Sequence, residues 1–263
     1  MEVIDTVLPD ERACIERLQA LVYNGTIRAV ALDFDDTITI HGTQRGGRVD
    51  EMLLADNVFL DNIRHPRFLR AFIYGIYEAG GRVCIVSFQD DLTSNPQLGV
   101  TSGRYLIERY IDALLGEDRP ADLLQYDQDY LLWNPAIRCG ATRENTNKNN
   151  HLIALAMWSG RRDTATVKPT PQPRLKPDQI VFIDDSATNV AAANVARVAR
   201  GFVATNGVNA QLCDSIVRSI TQPLTSAPST SSFSFASGGS FHTPHPQQQP
   251  VFGFGAPPSS FHM

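Results

Sequence analysis

A chain of 263 residues with a formal net charge of −5 holds one large domain or two small ones. It carries no basic stripe of the kind that tracks nucleic-acid phosphates, and no apolar run approaches membrane-spanning length. The opening MEVIDTVLPDER lacks the basic-then-apolar order of a secretory signal, and Cys14, Cys84, Cys139 and Cys213 show no CxxC or His–Cys spacing of a zinc site. These features predict a soluble, intracellular protein with reduced cysteines, cytoplasmic by default with the nucleus left open.

Residues Asp10 to Tyr23 read as an amphipathic helix, with Ala13, Ile15, Leu18, Leu21 and Val22 at helical spacing and Asn24-Gly25 as its stop. Its expected role is to pack beside the first strand, Arg28 to Leu32, whose unbroken apolar run is that of a buried parallel strand. The polar, glycine-rich His41–Arg48 then predicts a loop over the strand end or a β-hairpin flap. His65 to Ala79 is a second helix, Arg82 to Val86 a second buried strand ending at Ser87, and Ser102 to Leu115 a third helix. A short strand is expected within Asp122 to Trp133, and a helix from Asn149 to Trp158. The proline-bearing stretch Arg161 to Pro177 reads as a surface loop. Gln179 to Ile183 is a third clear strand, followed by helix Ala187 to Val198, strand Gly201 to Thr205 and helix Asn209 to Ile220. Strands alternating with helices predict an α/β fold, a doubly wound Rossmann-like parallel sheet, over residues 1–222.

From Pro223 the composition changes: residues 223–263 contain no Asp, Glu, Lys or Arg and are dominated by Ser, Pro, Gly, Gln and isolated Phe. Such a segment buries too little apolar surface to offset chain entropy, so a disordered tail is expected. Phe252-Gly253 and Phe254-Gly255 resemble nuclear-pore FG repeats, but two pairs fall short of a repeat array. Weak partner binding is the most this tail predicts.

Open α/β sheets place ligands outside the carboxyl ends of their strands. The residues found there are Asp33 and Asp35 after the first strand, Ser87 after the second, and Asp184 and Asp185 after the third, with Lys148 at a helix start. Carboxylate oxygens suit Mg²⁺, which takes one or two carboxylates together with waters and substrate phosphate. A lysine and a hydroxyl beside them would neutralise and orient phosphoryl oxygens. Each has a plainer reading: Asp33 as an Asx-turn, Asp36 as an exposed cap, Ser87 as a helix N-cap. Lys168 and Lys176 compete with Lys148. His41, His65 and His151 are read as surface or structural, having no metal-like spacing.

In order and spacing this chain resembles the haloacid dehalogenase-like (HAD) superfamily over about Arg28 to Val190. The family's DxDxT motif stands as Asp33-Phe34-Asp35-Asp36-Thr37, its strand ending in Ser or Thr as VCIVS to Ser87, its motif lysine as Lys148, and its DDxxxN pair as Asp184-Asp185-Ser-Ala-Thr-Asn189. The resemblance implies that Asp33 is a nucleophile forming an aspartyl-phosphate and that Asp35 is general acid, then base, with its backbone carbonyl on the metal. It implies Asp33, Asp35 and Asp185 as Mg²⁺ ligands, Ser87, Lys148 and Thr37 as phosphate contacts, and Asp184 and Asn189 as residues that orient these from behind. In the family, dehalogenases and P-type ATPases lack the second Asp, so Asp35 points to a phosphatase or phosphomutase.

The resemblance further implies a minimal cap and an open site, because Ile40 to Pro66 leaves little room and Gln89 to Asn147 is largely used by a core helix and strand. Such sites accept large phosphorylated substrates, or small ones if a second subunit closes over them. The acidic pair resembles that of minimal-cap phosphatases acting on polymerase tails, but that group carries DLDETL where this chain has DFDDTI, so its substrate is not adopted. The competing reading is a scaffold that keeps fold and metal site without turnover. A receiver domain would carry its acidic pair and phospho-acceptor in the reverse order.

Overall fold

The computed structural model of the chain describes residues 4–41, 47–48, 56–87, 100–101, 103–116, 147–157 and 174–222. One compact unit spans Met1–Pro223. The strand expected within Asp122 to Trp133, the loop Arg161 to Pro177 before residue 174, and the tail from Pro223 lie outside the described residues.

Four strands, β1 (Ala29–Leu32), β3 (Arg82–Ile85), β5 (Ile180–Asp184) and β6 (Arg200–Val203), form an all-parallel sheet in the order β3-β1-β5-β6. β1 is central, and its four residues are buried. Alternation along the strands divides the apolar residues between two faces. Val30, Leu32, Val83, Ile85, Val181 and Ile183 join one core, and Ala29, Ala31, Ile180 and Phe182 the other. The first core is covered by α1 (Pro9–Tyr23), α3 (Pro66–Glu78), α4 (Gly103–Leu115) and α7 (Ala210–Thr221), through residues such as Leu18, Phe72, Ile107 and Ile216. The second is covered by α5 (Asn149–Met157) and α6 (Ala187–Ala196), through Leu152, Leu155, Val190 and Ala193. This is an α/β fold with helices on both faces of a parallel sheet.

Helix α1 packs against α3 and α7, and its Ile15 and Leu18 belong to the same core as Val30 and Leu32 of β1. It crosses α3 closely, because a Cβ on Gly75 would stand 2.6 Å from Ile15 Cγ2. Three smaller features escape sequence reading: helix α2 (Asp56–Leu60), the antiparallel pair β2 (Gly47–Arg48) with β4 (Val100–Thr101), and an antiparallel bridge from Thr39 to Ile63. Among the described residues, Gly47–Arg48 pairs with Val100–Thr101, distant in the chain; residues 42–46 of the loop or hairpin flap expected over His41–Arg48 lie outside the described residues.

A correction concerns sulfur. The sequence predicts reduced cysteines, yet Cys14 of α1 and Cys213 of α7 are joined by a disulfide, Cα to Cα 6.3 Å, with 199 residues between them in sequence. Spacing hides the pair because the first and last helices of the unit become neighbours only when folded. Cys84 is a free thiol that burial pushes up to about 12. It fits the reading of a small hydrophobe in a strand.

The loop between β6 and α7 seats Gly207 at φ +69°, with no room for a Cβ: Arg64 Cδ would lie at 2.7 Å and the Thr37 carbonyl oxygen at 2.9 Å. Gly207→Ala is expected to cost about 2 kcal/mol or more, from left-handed strain plus a backbone clash, read as a lower midpoint in urea unfolding.

Candidate functional site

Parallel register sets Leu32, Ile85 and Ile183 abreast, so Asp33, Val86 and Asp184 emerge at the carboxyl edge of the sheet. The Asp33 N–H donates to Ile183 O at 2.8 Å and the Val86 N–H to Leu32 O at 2.6 Å, extending the ladder past the strands. The chain then tightens: Ile38 N–H and Thr39 N–H both donate to Phe34 O. Asp36 occupies the left-handed region at φ 59°, which a short polar side chain tolerates. It is half-buried in this turn, not the exposed cap that the sequence predicts.

Lys148 is 2 % exposed and joins two of the strand ends. Its Nζ contacts Asp33 Oδ1 and donates to Asp184 Oδ2 at 2.8 Å. Of the competing lysines, Lys176 is exposed where the chain enters β5, at the opposite edge of the sheet, and Lys168 lies outside the described residues. Asp184 is fully engaged: Oδ1 accepts from Ser186 N–H at 2.8 Å, and Asn189 Nδ2 reaches both oxygens at 3.2 Å. Asn189 thus orients the aspartate that orients Lys148.

The remaining acidic oxygens are unequal. Asp33 Oδ1 takes Phe34 N–H at 2.7 Å as well as Lys148. Among the described residues no donor reaches its Oδ2. Asp185 has no hydrogen bond or ion pair among them, although a carboxylate oxygen from each of Asp33, Asp184 and Asp185 fits within 4.8 Å of the others. Three carboxylates at that separation, two of them incompletely satisfied, suit a hard divalent cation. Asp35 is buried but its carboxylate is not in this group; the part implied for it in holding metal is through its carbonyl.

Ser87 and Thr37 are both buried, at 1 % and 0 % exposure. Ser87 follows β3 at the same sheet edge. Thr37 Oγ1 has no hydrogen-bond partner among the described residues, an expensive state for a buried hydroxyl that a ligand oxygen would relieve.

Burial raises the Asp33 carboxyl well above its ordinary value; Lys148 pulls it down and Asp184 pushes it up. Lys148 is itself held above its ordinary value, since the charges of Asp33 and Asp184 outweigh burial. Two acids share one base, so the site has an excess negative charge that a proton or a cation can neutralise. Binding of a divalent cation is therefore expected to release a proton and to strengthen with rising pH as Asp33 ionises. Calorimetric titrations in two buffers of different ionisation enthalpy would measure the proton directly.

Sequence reading missed the bracing of this turn. Phe34 meets Tyr110 of α4 edge-to-face at 5.4 Å, and Tyr110 meets Phe59 of α2 at 5.1 Å. Asn62 Nδ2 donates to Tyr110 Oη at 2.9 Å while its Oδ1 accepts from His41 N–H at 3.0 Å. The Arg64 guanidinium donates to Thr39 O and Ile40 O. The only sequence signal was the apolar residue between the two aspartates, which demands an aromatic or aliphatic seat. Among the histidines, His41 and His65 are exposed and His151 is buried. No helix of the described residues is long and apolar enough to cross a membrane. The chain matches no protein-family model, no curated protein and no solved structure with which it was compared.

Proposed function

We propose that the protein is a Mg²⁺-dependent phosphomonoester hydrolase of HAD type, with a Rossmann-like core, a minimal cap and an aspartyl-phosphate intermediate. One observation carries this reading: Asp33, at the end of the central strand, lies within reach of Asp184 and Asp185 and is tied to a buried lysine. A structural ion pair needs no third carboxylate beside it; a phosphoryl-transfer site does, because metal and substrate arrive together.

In this mechanism Asp33 Oδ2, which accepts no hydrogen bond among the described residues, attacks phosphorus. The bond to the leaving oxygen breaks and Asp35 gives that oxygen a proton. Asp35 then takes a proton from water, the resulting hydroxide attacks phosphorus, and the acyl-phosphate bond breaks to release phosphate and regenerate Asp33. Lys148, Ser87 and Thr37 hold the phosphoryl oxygens. Asp33, Asp185 and the Asp35 carbonyl would hold Mg²⁺, which when bound screens the phosphate charge from the attacking carboxylate.

Phosphate release from an aryl phosphate, from phosphorylated metabolites and from phosphopeptides, with Mg²⁺ and with EDTA, tests the reading. Release that stops with EDTA is expected. No release from any of the three classes would favour the scaffold, a HAD-like fold that binds partners without turnover. Transfer of phosphate to a second hydroxyl in place of water would mark a phosphomutase.

A further inference from the structure

We propose that Cys14–Cys213 is a redox latch on the last helix of the compact unit. Closed, it fastens α7 and the loop before it against the turn that carries Thr37; opened, it lets them loosen. Three observations converge. The bond joins α1 to α7 across 199 residues of sequence, and the Arg17–Asp214 ion pair ties the same two helices on their exposed side. The 204–209 loop entering α7 is bound into the site edge, with Ala204 N–H on Asp184 O at 2.9 Å, His65 Nε2 against Asn206 O at 3.1 Å, and Gly207 pressed on Thr37 O. Displacing α7 therefore disturbs the backbone of both Asp184 and Thr37.

The site accommodates both redox states. Cys14 Sγ lies 3.5 Å from Ala210 O and Cys213 Sγ lies 3.5 Å from Cys14 O, so each thiol of the reduced pair has a carbonyl acceptor. A dithiol reductant opens the latch: its thiolate attacks one sulfur, the S–S bond breaks, and its second thiol resolves the mixed disulfide. The products are two protein thiols and a cyclic disulfide. A low-molecular-weight disulfide closes the latch by the reverse exchange, leaving as two thiols. Both protein sulfurs belong to fully buried residues, so either exchange waits for the α1–α7 contact to open. The latch is set mainly as the chain folds, and it records the redox conditions of that moment.

The full chain, purified without reductant, is denatured and alkylated before and after dithiothreitol, and intact mass counts the labels. Two of the four cysteines are expected to react before reduction and four after it. Four before reduction overturns the latch. Hydrogen exchange of residues 204–221 is then compared in oxidised protein, reduced protein and C14A/C213A. Reduced and variant samples are expected to exchange about tenfold faster there, with β1 unchanged, and to unfold about 10 °C lower. Equal exchange in oxidised and reduced protein overturns the coupling, and because that comparison uses the wild-type chain it holds even if the variant fails to fold. Neither readout depends on phosphatase activity.

Discussion

Asp33→Asn is expected to lower Mg²⁺-dependent phosphate release by about 10³-fold or more, the scale at which removal of a nucleophile is felt, while raising the unfolding midpoint of the metal-free protein. The two effects have one origin. The fold holds the Asp33 carboxyl above its ordinary value, so its ionised form is disfavoured relative to the unfolded chain. The sign follows: the stability it contributes is fully present below 3.8 and is lost as pH rises through its raised folded value. Ionising Asp33 therefore costs the metal-free wild type stability. The substitution leaves Lys148 and Asp184 as a one-to-one pair, and the asparagine Oδ1 can still accept from Lys148 and Phe34. Steady-state phosphate release and thermal unfolding at pH 7.5 in EDTA read both. Activity that survives would remove Asp33 from the mechanism, and a lower midpoint would contradict the charge argument.

Lys148→Ala is expected to act in the opposite sense on stability, costing about 3–5 kcal/mol because two buried carboxylates lose the cation they share. For a unit of this size that is a fall of roughly 10 °C. The deficit is expected to shrink as pH falls, since the Asp33 carboxyl, held above its ordinary value by burial, takes up a proton and relieves the uncompensated charge. The wild-type lysine, held above 10.5, contributes stability that persists below that value and is lost only as pH rises through its folded value. Lys148→Met, which restores the apolar stem, should share the pH dependence and recover part of the packing. A deficit independent of pH would show that Lys148 acts through volume and not charge.

The contrast between these substitutions also separates what was readable in the sequence from what was not. β1 and β5 were legible because each is a short apolar run buried on both faces, and β3 because Val83 and Ile85 sit in an apolar stretch that ends at Ser87, although Arg82 and Cys84 are only partly buried. α1 and α3 were legible because their apolar residues recur at helical spacing. Asp33, Asp184 and Asp185 were legible as strand-end residues, and Lys148 as the lysine that opens a helix. Their mutual geometry was not legible: Asn189 on both oxygens of Asp184 is a matter of rotamers. α2 has five residues, too few for periodicity to speak. β2 and β4 have two each and exist through each other. Cys14 and Cys213 looked unrelated because a bond between the first and last helices leaves no local trace. Asp36 was misjudged because a left-handed φ is imposed by the turn around it.

The position of β1 has a consequence for how the chain is made. Ala29 pairs on one side with Arg82 and on the other with Ile180. The strand that carries Asp33 leaves the ribosome before both of its neighbours, and the second of them arrives only after most of the unit has been synthesised. Until then one edge of β1 is unpaired, and Asp33 waits for both Lys148 and the acidic pair. Long-range parallel pairing of this kind folds slowly, since loop closure precedes any reward. A nascent chain that stalls before Lys148 therefore presents a hydrophobic strand edge ending in an uncompensated carboxylate, which is a form that quality-control chaperones hold.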